Sequence, residues 1–161
     1  MKVYLAGPDV FRPDVAAWAA TARECCRSRG LTPLLPLDGV ADGAAAIFHA
    51  NCELLRQADA VVANLNPFRG HEPDSGTCVE VGMALALGKP VFAYLADTRP
   101  LAARIPHRLD AQGLWDQQGQ LLENFGLPLN LMLAVPVSWV SGDLATALDA
   151  LLARFNARPA A

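Results

Sequence analysis

Asp74 and Glu80 are six residues apart, separated by Ser75-Gly76-Thr77-Cys78-Val79. Two carboxylates around one small turn suit chemistry on a sugar. One oxygen can attack an anomeric carbon while the positive, oxocarbenium-like transition state is stabilised nearby. Gly76 lets the backbone come close to a ligand, and exposed first-turn amides favour an anion or an oxygen-rich sugar. The same residues also have a plain structural reading. Thr77-x-x-Glu80 is a capping-box pattern, in which the glutamate returns to the Thr77 amide at the mouth of a helix. Asp74 before Ser75-Gly76 fits an Asx-turn. On pattern alone the cap is the commoner outcome for Glu80.

Such residues need a scaffold. Apolar runs predict strands over 2–6, 32–35, 60–65, 90–95 and 137–140. Helical spacing predicts helices from an Asp14 N-cap to about Arg29, over 44–57 through Ile47, Leu54 and Leu55, over 77–87, and over 143–155. Gly30 and Gly88 stand where the first and third of these should stop. The alternation predicts an α/β protein: one domain over 1–161, a doubly wound (Rossmann/flavodoxin-like) parallel five-stranded sheet with helices on both faces. Ligands bind at the C-terminal ends of the strands in such sheets, and the Asp74–Glu80 segment follows the third strand. Residues 97–120, with Pro100, Pro106, Gly113 and Gly119, read as a long loop, either a functional cover or disordered. Residues 156–161 read as a fraying tail.

The chain has 161 residues, 53% hydrophobic and 18% charged, with a net charge of −3. That apolar balance favours an oligomer interface, and the acidic balance argues against a nucleic-acid polymer as partner. No stretch reaches the ~20 apolar residues of a membrane span. Met1-Lys2-Val3 runs straight into a strand, so no signal peptide is expected. Cys25, Cys26, Cys52 and Cys78 lack CxxC spacing and read as reduced, buried thiols of a cytoplasmic protein. His49, His71 and His107 are scattered and predicted at the surface, so no metal or organic cofactor is expected.

Four blocks carry a resemblance: Val3-Tyr4-Leu5-Ala6-Gly7-Pro8; Asn51-x-x-Leu54-Leu55-x-x-Ala58-Asp59-Ala60-Val61-Val62-Ala63; Asn66-Pro67-Phe68-Arg69-Gly70 through Asp74-Ser75-Gly76-Thr77-x-x-Glu80; and Asn130-Leu131-Met132. In order and spacing they resemble the nucleoside 2-deoxyribosyltransferase family, in the branch with a Pro-Phe-Arg-Gly loop. The resemblance implies exchange of the base of a 2′-deoxynucleoside for a free nucleobase, through a covalent deoxyribosyl–Glu80 ester and with retention. It makes Glu80 the nucleophile, Tyr4 the hydroxyl that holds it, and Asp74 the acid on a sugar hydroxyl. Gly7, Phe11, Asn51, Phe68 and Gly76 fall among its substrate-binding positions. Phe11 and Phe68 are candidates for base stacking or equally for core packing. Asn130 and Met132 match residues that a neighbouring subunit donates, which implies a homo-oligomer, at least a dimer. Without the resemblance, Tyr4 reads as a strand aromatic, Asn130 as a turn residue and Met132 as core.

Asn51 stands where many members carry an aspartate that helps protonate the leaving base. An amide can hydrogen-bond a base edge but is no general acid, which leaves Glu53 or a water as proton source. Two other readings stay open. A nucleoside 5′-monophosphate N-glycosidase would share the fold, though Asp74 would repel a phosphate dianion. A non-catalytic nucleotide sensor would keep the pocket without needing the nucleophile. A phosphoribohydrolase would require glycines where this chain has Asp74-Ser75.

Overall fold

The period-two alternation of a strand puts Tyr4 and Ala6 on one side of β1 (Lys2–Ala6) and Val3 and Leu5 on the other, and all four are buried. A strand apolar on both sides must be covered on both sides, and the computed structural model, which describes residues 1–39 and 42–157, shows how. In chain order the elements are α1 (Val15–Arg27), β2 (Thr32–Leu34), α2 (Ala44–Gln57), β3 (Ala60–Asn64), α3 (Ser75–Ala86), β4 (Val91–Leu95), α4 (Leu101–Arg104), β5 (His107–Asp110), β6 (Gly113–Asp116), α5 (Leu131–Ala134), β7 (Ser138–Ser141) and α6 (Leu144–Asn156). A 3-10 turn at Pro8–Phe11 follows β1.

Five strands form one parallel sheet in the order β2-β1-β3-β4-β7. The chain leaves β1 toward β2 and then returns to the other side of β1 for β3, so the strand order reverses between β1 and β3. Crevices at such a reversal are where α/β sheets bind ligands. One core joins Tyr4, Val61, Ala63, Val91 and Leu95 to Leu55 of α2 and Val81 and Ala84 of α3. The other joins Val3, Leu5, Val62 and Phe92 to Ala19, Ala22 and Cys26 of α1 and Leu148 and Leu151 of α6. Each fully buried leucine or valine among them is worth roughly 1.5–3 kcal/mol.

The helix ends follow local chemistry. Gly88 has φ +68°, which a side chain rarely adopts, and it closes α3 with Gly88 N–H donating to Leu85 O and Lys89 N–H to Ala84 O. Asp14 occupies the N-cap of α1, but its carboxylate pairs with Arg12 instead of capping. Residues 97–120 are not a structureless loop. They contain α4 and an antiparallel β5–β6 hairpin, braced by Trp115 Nε1 donating to Asp110 at 2.7 Å. Its four-residue strands show no alternation of exposure, so the prolines and glycines dominate when only the sequence is read. All four cysteines are free; Cys26 and Cys52 are buried, Cys25 and Cys78 half-buried. The three histidines are exposed. No helix of the described residues is long and apolar enough to cross a membrane. Of the tail predicted to fray, residues 158–161 lie outside the described residues.

Candidate active site

Tyr4 belongs to the side of β1 that α2 and α3 cover. On α3, the stripe Thr77, Val81 and Ala84 is buried against the sheet, and Glu80 sits on the shoulder of that stripe, one position before Val81. The two meet there: Tyr4 Oη donates to Glu80 Oε1 at 2.5 Å. Burial raises the Glu80 carboxyl from 4.5 to about 7, with the Tyr4 hydrogen bond pulling it down and the Asp74 charge pushing it up. Burial, and then the Glu80 charge, hold the Tyr4 phenol well above its ordinary value, so it remains a donor. The result is a poorly hydrated carboxylate fixed by one neutral hydrogen bond, with no ion pair to it among the described residues.

The capping-box expectation is corrected. The helix starts at Ser75 and its N-cap is Asp74, whose Oδ2 accepts from Thr77 N at 2.8 Å and Thr77 Oγ1 at 3.0 Å. Thr77 is thus the third helical residue, where an N-cap side chain reaches, and Glu80 lies almost a turn too far along to return to the helix mouth. Asp74 is an N-cap, not an isolated Asx-turn. Its Oδ1 accepts no hydrogen bond from any described residue. A Cβ on Gly76 would come within 3.1 Å of Asp74 Oδ2, so the glycine leaves that carboxylate room.

Glu80 and Asp74 open into a cleft of about 480 Å³. Gly7, Val10 and Phe11 line it from the turn after β1; Pro36, Leu37 and Gly39 from the loop after β2; Ile47 and Asn51 from α2; and Asp74, Gly76, Thr77 and Glu80 from α3 and its cap. The cleft gathers six of the predicted residues, Gly7, Phe11, Asn51, Asp74, Gly76 and Glu80, with Tyr4 beneath Glu80. Val10, Leu37 and Thr77 were not among the predicted site residues, and Ile47 was read only as part of the helical spacing of residues 44–57. Ile47 is 46% exposed and walls the cleft mouth, and helical spacing alone cannot tell a core side from a cleft side. Asn51 Oδ1 is buried without a hydrogen-bond partner among the described residues, so it is an unused acceptor. Glu53 is not a cleft residue; it is exposed, near Arg56 at 3.6 Å and accepting from Gln57.

Phe11 is 58% exposed, which rules out the core-packing alternative for it. Phe68 does not line the cleft but stacks on Phe11, with ring centroids 5.5 Å apart and planes at 17°. The Arg69 guanidinium lies 4.7 Å from the Phe68 centroid and 5.3 Å from that of Phe11. Asn130 and Met132 are absent from the cleft of their own chain. They border a separate groove of about 810 Å³ on another side of α3, with Glu72, Cys78, Gly82 and Leu133. Asn130 caps α5, accepting from Met132 N at 3.0 Å and donating to Glu123 at 2.6 Å. Met132 is 72% exposed and not a core residue. Among the described residues, no group of three or more His, Cys, Asp or Glu is placed to hold a metal ion.

A family profile described as nucleoside 2-deoxyribosyltransferase matches residues 3–132. Among solved structures, the 2-desoxiribosyltransferase of Leishmania mexicana is 37% identical, with a TM-score of 0.81 over 94% of this chain and 97% of that one. A 2-deoxyribosyltransferase of Bacillus psychrosaccharolyticus is 21% identical, with a TM-score of 0.58 over 91% and 89% of the two chains. The CMP N-glycosidase of Clostridium botulinum is 14% identical, with a TM-score of 0.54 over 96% and 99%. These last two share the fold. An uncharacterized protein of Schizosaccharomyces pombe is 35% identical over 107 residues, 60% of this chain and 51% of that protein, so the chain spans about half the length of the curated relative it matches.

Proposed function

The chain belongs to the nucleoside 2-deoxyribosyltransferase family, and from that premise we propose that it exchanges the base of 2′-deoxynucleosides through a covalent ester on Glu80. The observation that carries this reading is the 2.5 Å hydrogen bond from Tyr4 to Glu80 in a cleft that Asp74 shares. A carboxylate that only capped a helix would need no tyrosine from a strand 76 residues away.

The sugar lies between Asp74 and Glu80, with Asp74 Oδ1 accepting from a sugar hydroxyl while Oδ2 holds the helix. Glu80 attacks C1′, the C1′–N bond breaks, and its electron pair leaves with the base, which takes a proton. An incoming base then displaces Glu80 from C1′. Two inversions give net retention and ping-pong kinetics. Tyr4 fixes which oxygen is held and which is free to attack. Asn51 offers an acceptor to the base edge, and the proton for the leaving base comes from water, since Glu53 stands outside the cleft. Asn130 and Met132 complete the site of a neighbouring subunit, a role supported by the exposure of Met132 and Val135 and by their absence from the cleft of their own chain.

The experiment is incubation of 2′-deoxyinosine with and without adenine, beside a tube holding a 5′-monophosphate deoxynucleotide. Deoxyadenosine formed only when adenine is present, and lost in Glu80→Ala, supports base exchange. Base release from the monophosphate alone moves the chain to nucleotide hydrolysis. No product from any purine or pyrimidine donor leaves a nucleotide sensor.

A further inference from the structure

Asp9 is a buried carboxylate, 8% exposed, in the 3-10 turn that carries Phe11, and it is not part of the cleft wall. Its Oδ2 accepts from Asn64 Nδ2 at 2.8 Å. Asn64 Oδ1 in turn accepts from Asn66 Nδ2 at 2.7 Å and Asn66 N at 3.2 Å, and Asn66 Oδ1 accepts from Ala96 N at 2.8 Å. This relay runs along the C-terminal edge of the sheet, from the turn after β1, across the end of β3, to the residue after β4. Gly7 is wedged beside it: a Cβ there would meet Asn64 Cβ at 2.8 Å and Asp9 Oδ2 at 3.0 Å. The other Asp9 oxygen lies 3.9 Å from the Arg12 guanidinium.

The relay joins two segments that also meet through their aromatic rings. One presents Phe11 to the cleft; the other begins at Asn66 and presents Phe68 and Arg69, which stack on Phe11. We propose that Asp9 is a positioning residue, which acts through Asn64 and Asn66 to hold Phe11 as the aromatic wall of the cleft. Buried polar groups in a satisfied chain specify one geometry, and removing the acceptor leaves the Asn64 amide unpaired. Asp9 touches no reacting atom, so its effect falls on binding and not on the chemical step.

The inference rests on the base-exchange reading only for its kinetic test. Asp9→Ala is expected to raise the nucleoside KM about tenfold with kcat changed less than about threefold. The same change added to Phe11→Ala should have little further effect, because both act through one ring. Asp9→Asn keeps an acceptor toward Asn64 and should stay near wild type. Additive losses in the double variant, or a fall in kcat with KM unmoved, would overturn the proposal. Should Asp9→Ala not fold, Asn66→Ala cuts the relay at its other end and carries the same expectation. If the wild-type protein exchanges no base, the functional reading fails by itself, and amide hydrogen exchange decides the inference. Faster exchange in residues 8–12 and 66–70 with β4 and α6 unchanged supports it; unchanged exchange in those two segments overturns it.

Discussion

Two sides of α3 face opposite physical problems. On one, Glu80 and Asp74 meet a cleft in which every carboxylate has a defined protein donor on one oxygen and an open second oxygen. On the other, a larger groove is bordered by Cys78, Leu85, Met132 and Leu133, with Met132 and Val135 exposed. On the first side each acid is already held by its own chain, down to the tyrosine that fixes Glu80. The second leaves apolar surface uncovered, as surfaces that associate do. A single helix thus borders a polar cleft on one side and an apolar groove on the other, and the two sides should fail in different ways.

The sharpest break is Glu80→Ala, expected to lower base exchange at least ~10³-fold while leaving self-association alone. Equal losses in both would erase the distinction between the sides. Glu80→Gln tests how much burial costs this site. A carboxyl raised from 4.5 to about 7 in the folded state ionises first in the unfolded chain. Folding therefore loses stability as pH rises from 4.5 to 7, and the loss is complete above 7. Denaturant titration should show wild type and Glu80→Gln alike near pH 4, with the variant more stable at pH 8 by up to about 3 kcal/mol, a ratio of order 10². A variant equally or less stable at pH 8 would mean that the acid is better solvated than its surroundings indicate. For the same reason exchange activity should rise with pH through about 7, as Glu80 becomes the charged nucleophile.

Tyr4→Phe should reduce kcat roughly 10- to 100-fold by loosening the carboxylate, with little change in association. An unchanged rate would return Tyr4 to the core. The smallest effect belongs to the far side: Met132→Glu should weaken self-association about tenfold, seen by sedimentation, and lower activity both through lost assembly and through the neighbour's site that Met132 is proposed to complete. Full activity in a monomeric variant would separate the groove from the site.

Much of the scaffold was readable because its signals are local. The β1, β3 and β4 runs, the stop at Gly88 and the order of helices follow from period, breaker residues and length. The β5–β6 hairpin did not, since its short strands owe as much to Trp115 reaching Asp110 as to any periodicity. Among the predicted residues, Asp74, Gly76 and Glu80 could be singled out because they lie within seven positions of one another after the third strand. Ile47 was missed because an apolar side chain facing a cleft has the spacing of one facing a core, and Leu37 because it lies in a loop, where no periodicity marks it.

By itself the sequence determined the α/β alternation, the family blocks and the two acids after the third strand, all properties of short-range pattern. Only the tertiary structure decided which acid caps and which is held. The capping pattern pointed to Thr77 and Glu80, yet Asp74 took the cap. Parallel pairing of β1 with β3 and packing of α3 on the Tyr4 side of that sheet then brought a phenol to the other acid. A contact 76 residues apart is set by register and packing, which no local window contains.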